Sequence, residues 1–243
     1  MRLGITLGAA TVAAASIVSS ASAVDLAFNN LYGLTGFNVA LDGSDIGGTI
    51  AAGRLTYTVT GDTDPYYTPG QQIFSFCSEL DQPVTGQAVP YDFYGVNEAE
   101  GIEAIPTPGA VGGPMGLMKA GLTSNLFTKY FVAGSTGSEI QASAFQIALW
   151  EIVYDDTSLG LDLSAGDFTV GADGDTDRQA AIDLANTWLA TLEDNGISDM
   201  MLGMGSADFQ DQLTLLVVPI PGALALGLIG MGGVATMRRR LRG

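Results

Sequence analysis

The run from Ile140 to Tyr154 restricts the fold more than any other stretch. Ile140, Ala144, Ile147, Leu149, Trp150 and Val153 follow a helical pattern, and the positions between them are too apolar for a surface helix. Such a helix must be enclosed by other elements on nearly every side. Its start is defined, because Ser138-Glu-Ile-Gln141 fits the S-x-x-Q capping box. Gln146 sits among Phe145, Ile147, Leu149 and Trp150, and a glutamine buried there needs hydrogen-bond partners.

The elements that could enclose it lie on both sides in sequence. Asn38-Val-Ala-Leu-Asp42, Gly48-Thr-Ile-Ala51 and Arg54-Leu-Thr-Tyr-Thr-Val-Thr60 read as strands, with turn signals at Asp42-Gly43, Gly47-Gly48 and Gly61-Asp62. Gln72-Ile-Phe-Ser-Phe-Cys77 is a further strand. Residues 81–84 and 87–94 read as a hairpin turning near Gly86. A helix is expected from about Gly116 to Phe131, before the buried one. Thr176-Asp-Arg-Gln179 is a second capping box, opening a helix that places Ala181, Leu184, Ala185, Trp188 and Leu192 on one face and runs to Asn195-Gly196. Residues 161–170 read as a short strand or irregular segment, and 209–218 as a closing strand. Strands flanking a helical middle predict an α+β fold: an antiparallel β-sandwich or barrel with an inserted helical subdomain.

Charge excludes several functions. The chain has 26 acidic residues against 9 basic ones, and five of the bases lie at its two ends. Residues 24–218 therefore hold 26 acids and only Arg54, Lys119, Lys129 and Arg178, a net charge near −22. That surface repels nucleic acid and anionic membrane. The sequence has no histidine, so His-based acid–base catalysis, Ser-His-Asp hydrolysis and His-ligated metals are excluded.

Residues 1–23 have the layout of an export signal: Arg2, an apolar run from Leu3 to Val18, and Ala21-Ser-Ala23 as a small-residue cleavage site. Export leads to compartments where cysteines usually pair, yet Cys77 is the one cysteine. At the other end, Leu215-Leu-Val-Val-Pro-Ile-Pro-Gly222 leads into an apolar run to Met237 and then Arg238, Arg239, Arg240 and Arg242. The run is short for a membrane span of about 20 residues, and its basic flank fits the cytoplasmic side. This tail resembles the PEP-CTERM sorting signals processed by exosortases, membrane transpeptidases of bacteria that make extracellular polysaccharide. Val218, Pro219 and Pro221 match, while Ile220 replaces the usual glutamate, bringing the motif nearer the Val-Pro-Leu-Pro variant. The expected organisation is a signal peptide over 1–23, an extracellular domain over 24–214, and over 215–243 a sorting signal that anchors the chain transiently in the inner membrane.

Cys77 and Gln146 gain meaning together. Phe76-Cys77 and Phe145-Gln146-Ile-Ala-Leu149-Trp150 are similar to the two motifs of bacterial surface thioester domains, an aromatic-Cys and an apolar-Gln-x-x-apolar-Trp, here 69 residues apart. The resemblance implies a Cys77–Gln146 thioester, with Glu79 and Trp150 as supporting residues. A thiol, with a pKa near 8.5, leaves more readily than an amine, so the bond stores an electrophile. Walls such as Phe76, Phe145 and Trp150 would exclude water. An amine or hydroxyl on a partner attacks the Gln146 carbonyl and expels Cys77, once per molecule, so the protein is not an enzyme with turnover. Glu79, Tyr154 or the incoming amine must move the proton.

Asp173-Gly-Asp-Thr-Asp177 has alternating acids, but Arg178 and Leu184 stand where an EF-hand needs glycine and glutamate, so the segment reads as a helix-start loop. No cofactor or metal is expected. The chain reads as an exported, exosortase-sorted cell-surface protein that attaches covalently to an extracellular polymer or protein. The alternative is a non-covalent component of a polysaccharide matrix or biofilm with an inert cysteine.

Overall fold

Leu55, Tyr57 and Val59 alternate along their strand, and all three are buried. They line the inside of a closed barrel. The computed structural model describes residues 23–216 except 47–49, 62–66, 81, 96–105, 108–112, 159, 199 and 207. The barrel strands are β1 (Ala23–Leu41), β3 (Ile50–Val59), β4 (Gln72–Cys77), β5 (Ala88–Gly95), β9 (Met201–Gly205) and β10 (Gln212–Leu215). In space they run β1-β3-β4-β10-β9-β5, and β5 pairs back onto β1, so the ring closes with antiparallel neighbours throughout. Closure leaves no open edge around this ring. The outer half of β1 continues past the barrel and pairs with β2 (Ser44–Asp45) and β8 (Phe168–Gly171). Strands β6 (Pro106–Thr107) and β7 (Gly113–Pro114) form a separate pair.

Three helices fill the interval between β7 and β9: α1 (Gly116–Thr136), α2 (Glu139–Tyr154) and α3 (Thr176–Leu189). Helix α2 is the apolar run of the sequence. It packs against β1, β3 and β4 on one side and against α1 and α3 on the other. Every residue from Ala142 to Val153 is buried. The predicted capping box is in place, with Ser138 accepting from the Gln141 N–H at 3.3 Å and the Gln141 side chain accepting from the Ser138 N–H at 3.0 Å.

The α+β barrel with its helical insertion agrees with the sequence reading, but several bounds differ for physical reasons. The first strand is one continuous element of 19 residues, and Ile50 and Ala51 share a single β3 with Arg54–Val59. Gly53 does not break it. It faces Gly33 across the ladder, and a Cβ on either would strike the opposite backbone. Helix α1 runs five residues past Phe131, through Gly134. A Cβ there would come within 2.8 Å of the Phe145 Cβ, so this glycine sets the close approach of α1 and α2. The 81–94 hairpin does not form. Residues 82–87 are not strand, and β5 pairs with β1 and β9 instead. The third helix is capped by Asp175, not Thr176, because the Asp175 carboxylate accepts from the N–H groups of Asp177 and Arg178 at 3.0 and 2.9 Å. It ends at Leu189, six residues before Asn195. The closing strand is limited to Gln212–Leu215, and β9 is an additional strand.

Among the described residues few acids are paired with a base. Arg54, Lys119, Lys129 and Arg178 all donate to backbone carbonyls, of Ser135, Val153, Thr191 and both Ala172 and Thr35 respectively. Among the described residues one ion pair forms, Arg178 with Asp175 at 3.9 Å. No helix of the described residues is long and apolar enough to cross a membrane. Of the expected signal peptide over 1–23, residues 1–22 lie outside the described residues, as do the expected span to Met237 and the expected processing residues Val218, Pro219, Pro221, Arg238, Arg239 and Arg240. Ala23, the expected cleavage residue, is exposed and begins β1.

Candidate functional site

Strand β4 ends at Cys77, and the manner of its ending builds the site. On the β3 side the ladder reaches only Ser75, paired with Leu55. The Ser78 N–H donates to the Asp211 carbonyl at 2.9 Å, toward β10. Alternation along the strand therefore turns the Cys77 N–H and C=O toward the other side, where pairing with β3 has ended although β3 itself continues to Ile50 against β1. Gln146 takes the missing place. Its Oε1 accepts from the Cys77 N–H at 2.9 Å and its Nε2 donates to the Cys77 carbonyl at 2.8 Å. A side-chain amide thus completes a β-ladder, and the buried glutamine of α2 finds both partners on one residue.

Ser143, one helical turn earlier, makes a similar contact. Its hydroxyl accepts from the Leu34 N–H and donates to the Ala52 carbonyl, both at 2.8 Å, bridging two residues paired across β1 and β3. The polar residues of α2 at spacing three are therefore both joined to strand backbone.

The surroundings are dry. Phe76 and Phe145 lie with ring centroids 4.2 Å apart, and Phe127 meets Phe145 edge-on at 5.0 Å. Cys77 is 5 % exposed and Gln146 1 %. Burial, and then the charge of Glu79, push the Cys77 thiol well above its ordinary range, so the sulfur is protonated at neutral pH.

Each residue singled out in the sequence has a place here. Cys77 and Gln146, 69 residues apart, are in direct hydrogen-bond contact. Glu79 lies beyond the end of β4 and not on the strand face, yet its carboxylate is buried and accepts from the Asp211 N–H at 3.1 Å. Trp150, one turn after Gln146, is buried, and its indole N–H has no hydrogen-bond acceptor among the described residues. The Tyr154 hydroxyl accepts from the Leu80 N–H at 2.7 Å, holding the segment after Cys77. Asp173 and Gly174, both at positive φ, form the turn into α3, as a helix-start loop requires. Trp188 is core, stacked on Tyr130 at 4.7 Å.

Two groups escaped the sequence reading. Gln210, just before β10, places its Oε1 2.8 Å from the Cys77 sulfur, and beyond it Gln212 joins Ser75, Tyr57 and Tyr91 in a buried polar row. The signal was two glutamines two residues apart entering a strand, which places both on one side of it. The second group is Glu151, fully buried on α2. Its Oε1 accepts from the Asp162 N–H at 2.6 Å, its Oε2 meets no donor among the described residues, and the Asp155 carboxyl acts on it electrostatically.

The chemistry available is that of a thiol and an amide shielded from water, without an imidazole. Replacing Gln146 by alanine strips the Cys77 N–H and C=O of their partner inside an apolar wall. The expected loss is about 3 kcal/mol of unfolding free energy, read by urea denaturation, with Gln146→Glu closer to wild type only at acidic pH, where its protonated carboxyl keeps both the acceptor and the donor. No family model matches the chain, and neither a curated protein nor a solved structure is found to be similar to it.

Proposed function

We propose that the domain forms a Cys77–Gln146 thioester and uses it for a single covalent attachment to an amine or hydroxyl on a surface or matrix partner. The observation that carries this reading is the placement of the Gln146 amide on the Cys77 backbone, 69 residues away in sequence, behind the tilted, closely packed rings of Phe76 and Phe145. The supply of an acyl carbon beside a dry thiol is what such a bond requires. The tail motif at Val218, Pro219 and Pro221 with its arginines supports export and exosortase sorting, which puts the partner outside the cell.

A second reading is favoured by the completeness of the Gln146 contacts. An amide paired at both ends with main chain also serves as a structural clamp. The protein is then a non-covalent matrix or biofilm component with an inert cysteine.

Thiol titration separates the two. Burial hides a thiol in the folded state under either reading, so the count is made on protein denatured at mildly acidic pH. The thioester reading expects no alkylated Cys77 in fresh protein and one after methylamine treatment. The clamp reading expects one in both.

A further inference from the structure

Gln210 is oriented without ambiguity. Its Nε2 donates to the Glu79 carbonyl, and exchanging the two ends of the amide would set two acceptor oxygens against each other. Its Oε1 is therefore the atom that faces Cys77, 2.8 Å from the sulfur, and the thiol must be the donor. The backbone on either side is fixed. The Gln210 N–H donates to the Pro83 carbonyl at 3.3 Å, the Tyr91 hydroxyl to the Gln210 carbonyl at 3.4 Å, and the Asp211 N–H to Glu79 Oε1 at 3.1 Å. Gln210 is 7 % exposed, so water does not compete for its carbonyl. The contact joins residues 133 positions apart and has no part in the barrel ladder.

We propose that Gln210 is a positioning residue for acyl transfer at Cys77: by accepting the thiol proton's hydrogen bond it fixes the sulfur rotamer and leaves a sulfur lone pair for the Gln146 carbonyl carbon. This role rests on the thioester reading above. In formation, the sulfur–carbon bond forms, the Gln146 carbon–nitrogen bond breaks, and the sulfur proton leaves on ammonia. In opening by an amine, the carbon–sulfur bond breaks, a carbon–nitrogen bond forms, and one amine proton returns to sulfur. The hydrogen bond to Gln210 is then restored. A thiolate beside a carbonyl oxygen and the Glu79 charge is disfavoured, so proton return accompanies opening.

The single cysteine gives one S–H stretching band, which Raman spectroscopy reads directly. With the thiol set free by methylamine, the native protein is expected to show a band lowered by strong hydrogen bonding. Gln210→Met is expected to move it to the position of an unbonded thiol. In the same variant, the fraction of protein lacking one ammonia, measured by intact mass at a fixed time after purification, is expected to fall tenfold to roughly a hundredfold. Gln210→Glu keeps the shape, and its new carboxyl can donate to Glu79 and accept from sulfur only while protonated. Formation is therefore expected to recover at acidic pH and to fail at alkaline pH, and this pair of measurements decides the matter if Gln210→Met does not fold. An unmoved band, or an undiminished ammonia-deficient fraction in folded Gln210→Met, overturns the role. So does equal formation at both pH values in Gln210→Glu. Full mass in the wild type removes the thioester reading itself and the Gln210 role with it, a result read before any Gln210 variant is made.

Discussion

Phe145→Ala is expected to cost about 4 kcal/mol of unfolding free energy and to expose the proposed Cys77–Gln146 thioester to hydrolysis. Phe145 is fully buried at the point where α2 meets β4, and its ring faces Phe76, Phe127 and Phe131 at 4.2, 5.0 and 6.2 Å. Its Cβ also lies against Gly134, so α1 and α2 cannot move together to refill the space without a backbone clash. The cavity lies one residue from Gln146 in sequence and beside the aromatic neighbour of Cys77. Loss of packing and loss of water exclusion thus come from one substitution. Phe145→Leu fills more of the volume and is expected to lose about half as much stability. Urea denaturation reads the first effect, and the decay of the ammonia-deficient mass with time reads the second. A variant that is strongly destabilised but keeps the wild-type decay rate would show that the phenylalanine cluster does not protect the bond.

The second large effect is on pH dependence. Burial, followed by the Asp155 carboxyl, pushes Glu151 from its ordinary value of 4.5 up to about 8. Asp162 adds a further negative charge, its N–H opposes the shift by donating to Glu151, and Lys119 of α1 stands near Asp155. The folded protein holds this proton more tightly than the unfolded chain does. Stability is then greatest below the ordinary value and is lost as pH rises from 4.5 through about 8. The fall is on the order of 5 kcal/mol if the whole shift is expressed. Asp156, Asp162 and Asp175 are lowered from an ordinary 3.8 by local hydrogen bonds, so they act at more acidic pH and leave the window to Glu151. Glu151→Gln keeps an acceptor for the Asp162 N–H and supplies a permanent donor toward Asp155. It is expected to flatten the profile between 4.5 and about 8. Equal slopes in the two proteins would contradict this account of the pair.

Local signals were readable and positional ones were not. The Ser138 capping box and the buried run of α2 follow from neighbouring residues, and both are where the sequence places them. The Cys77–Gln146 contact was legible only because the two motifs were read as a pair; nothing local to either residue brings them together. Residues 48–51 and 54–60 read as two strands, whereas Gly53, facing Gly33 across the ladder, lies within one continuous strand at a point of close approach. Thr176 has the side chain of a cap, but the positive φ of Asp173 and Gly174 turns the chain so that Asp175 reaches the first free N–H groups. Gln210 carries no motif. Its place depends on β10 lying beside β4, a pairing across more than 130 residues that barrel closure determines.

The intact mass of the folded protein, with and without methylamine and beside Cys77→Ala, tests the central claim most directly. The thioester account predicts a native mass short by one ammonia. Methylamine should raise it by one methylamine, placed on Gln146, with release of one alkylatable thiol. Cys77→Ala should show the full mass and no change. Full mass in fresh native protein, with Cys77 alkylated on denaturation and no methylamine incorporated, would contradict the covalent account and leave Gln146 as a clamp on the end of β4.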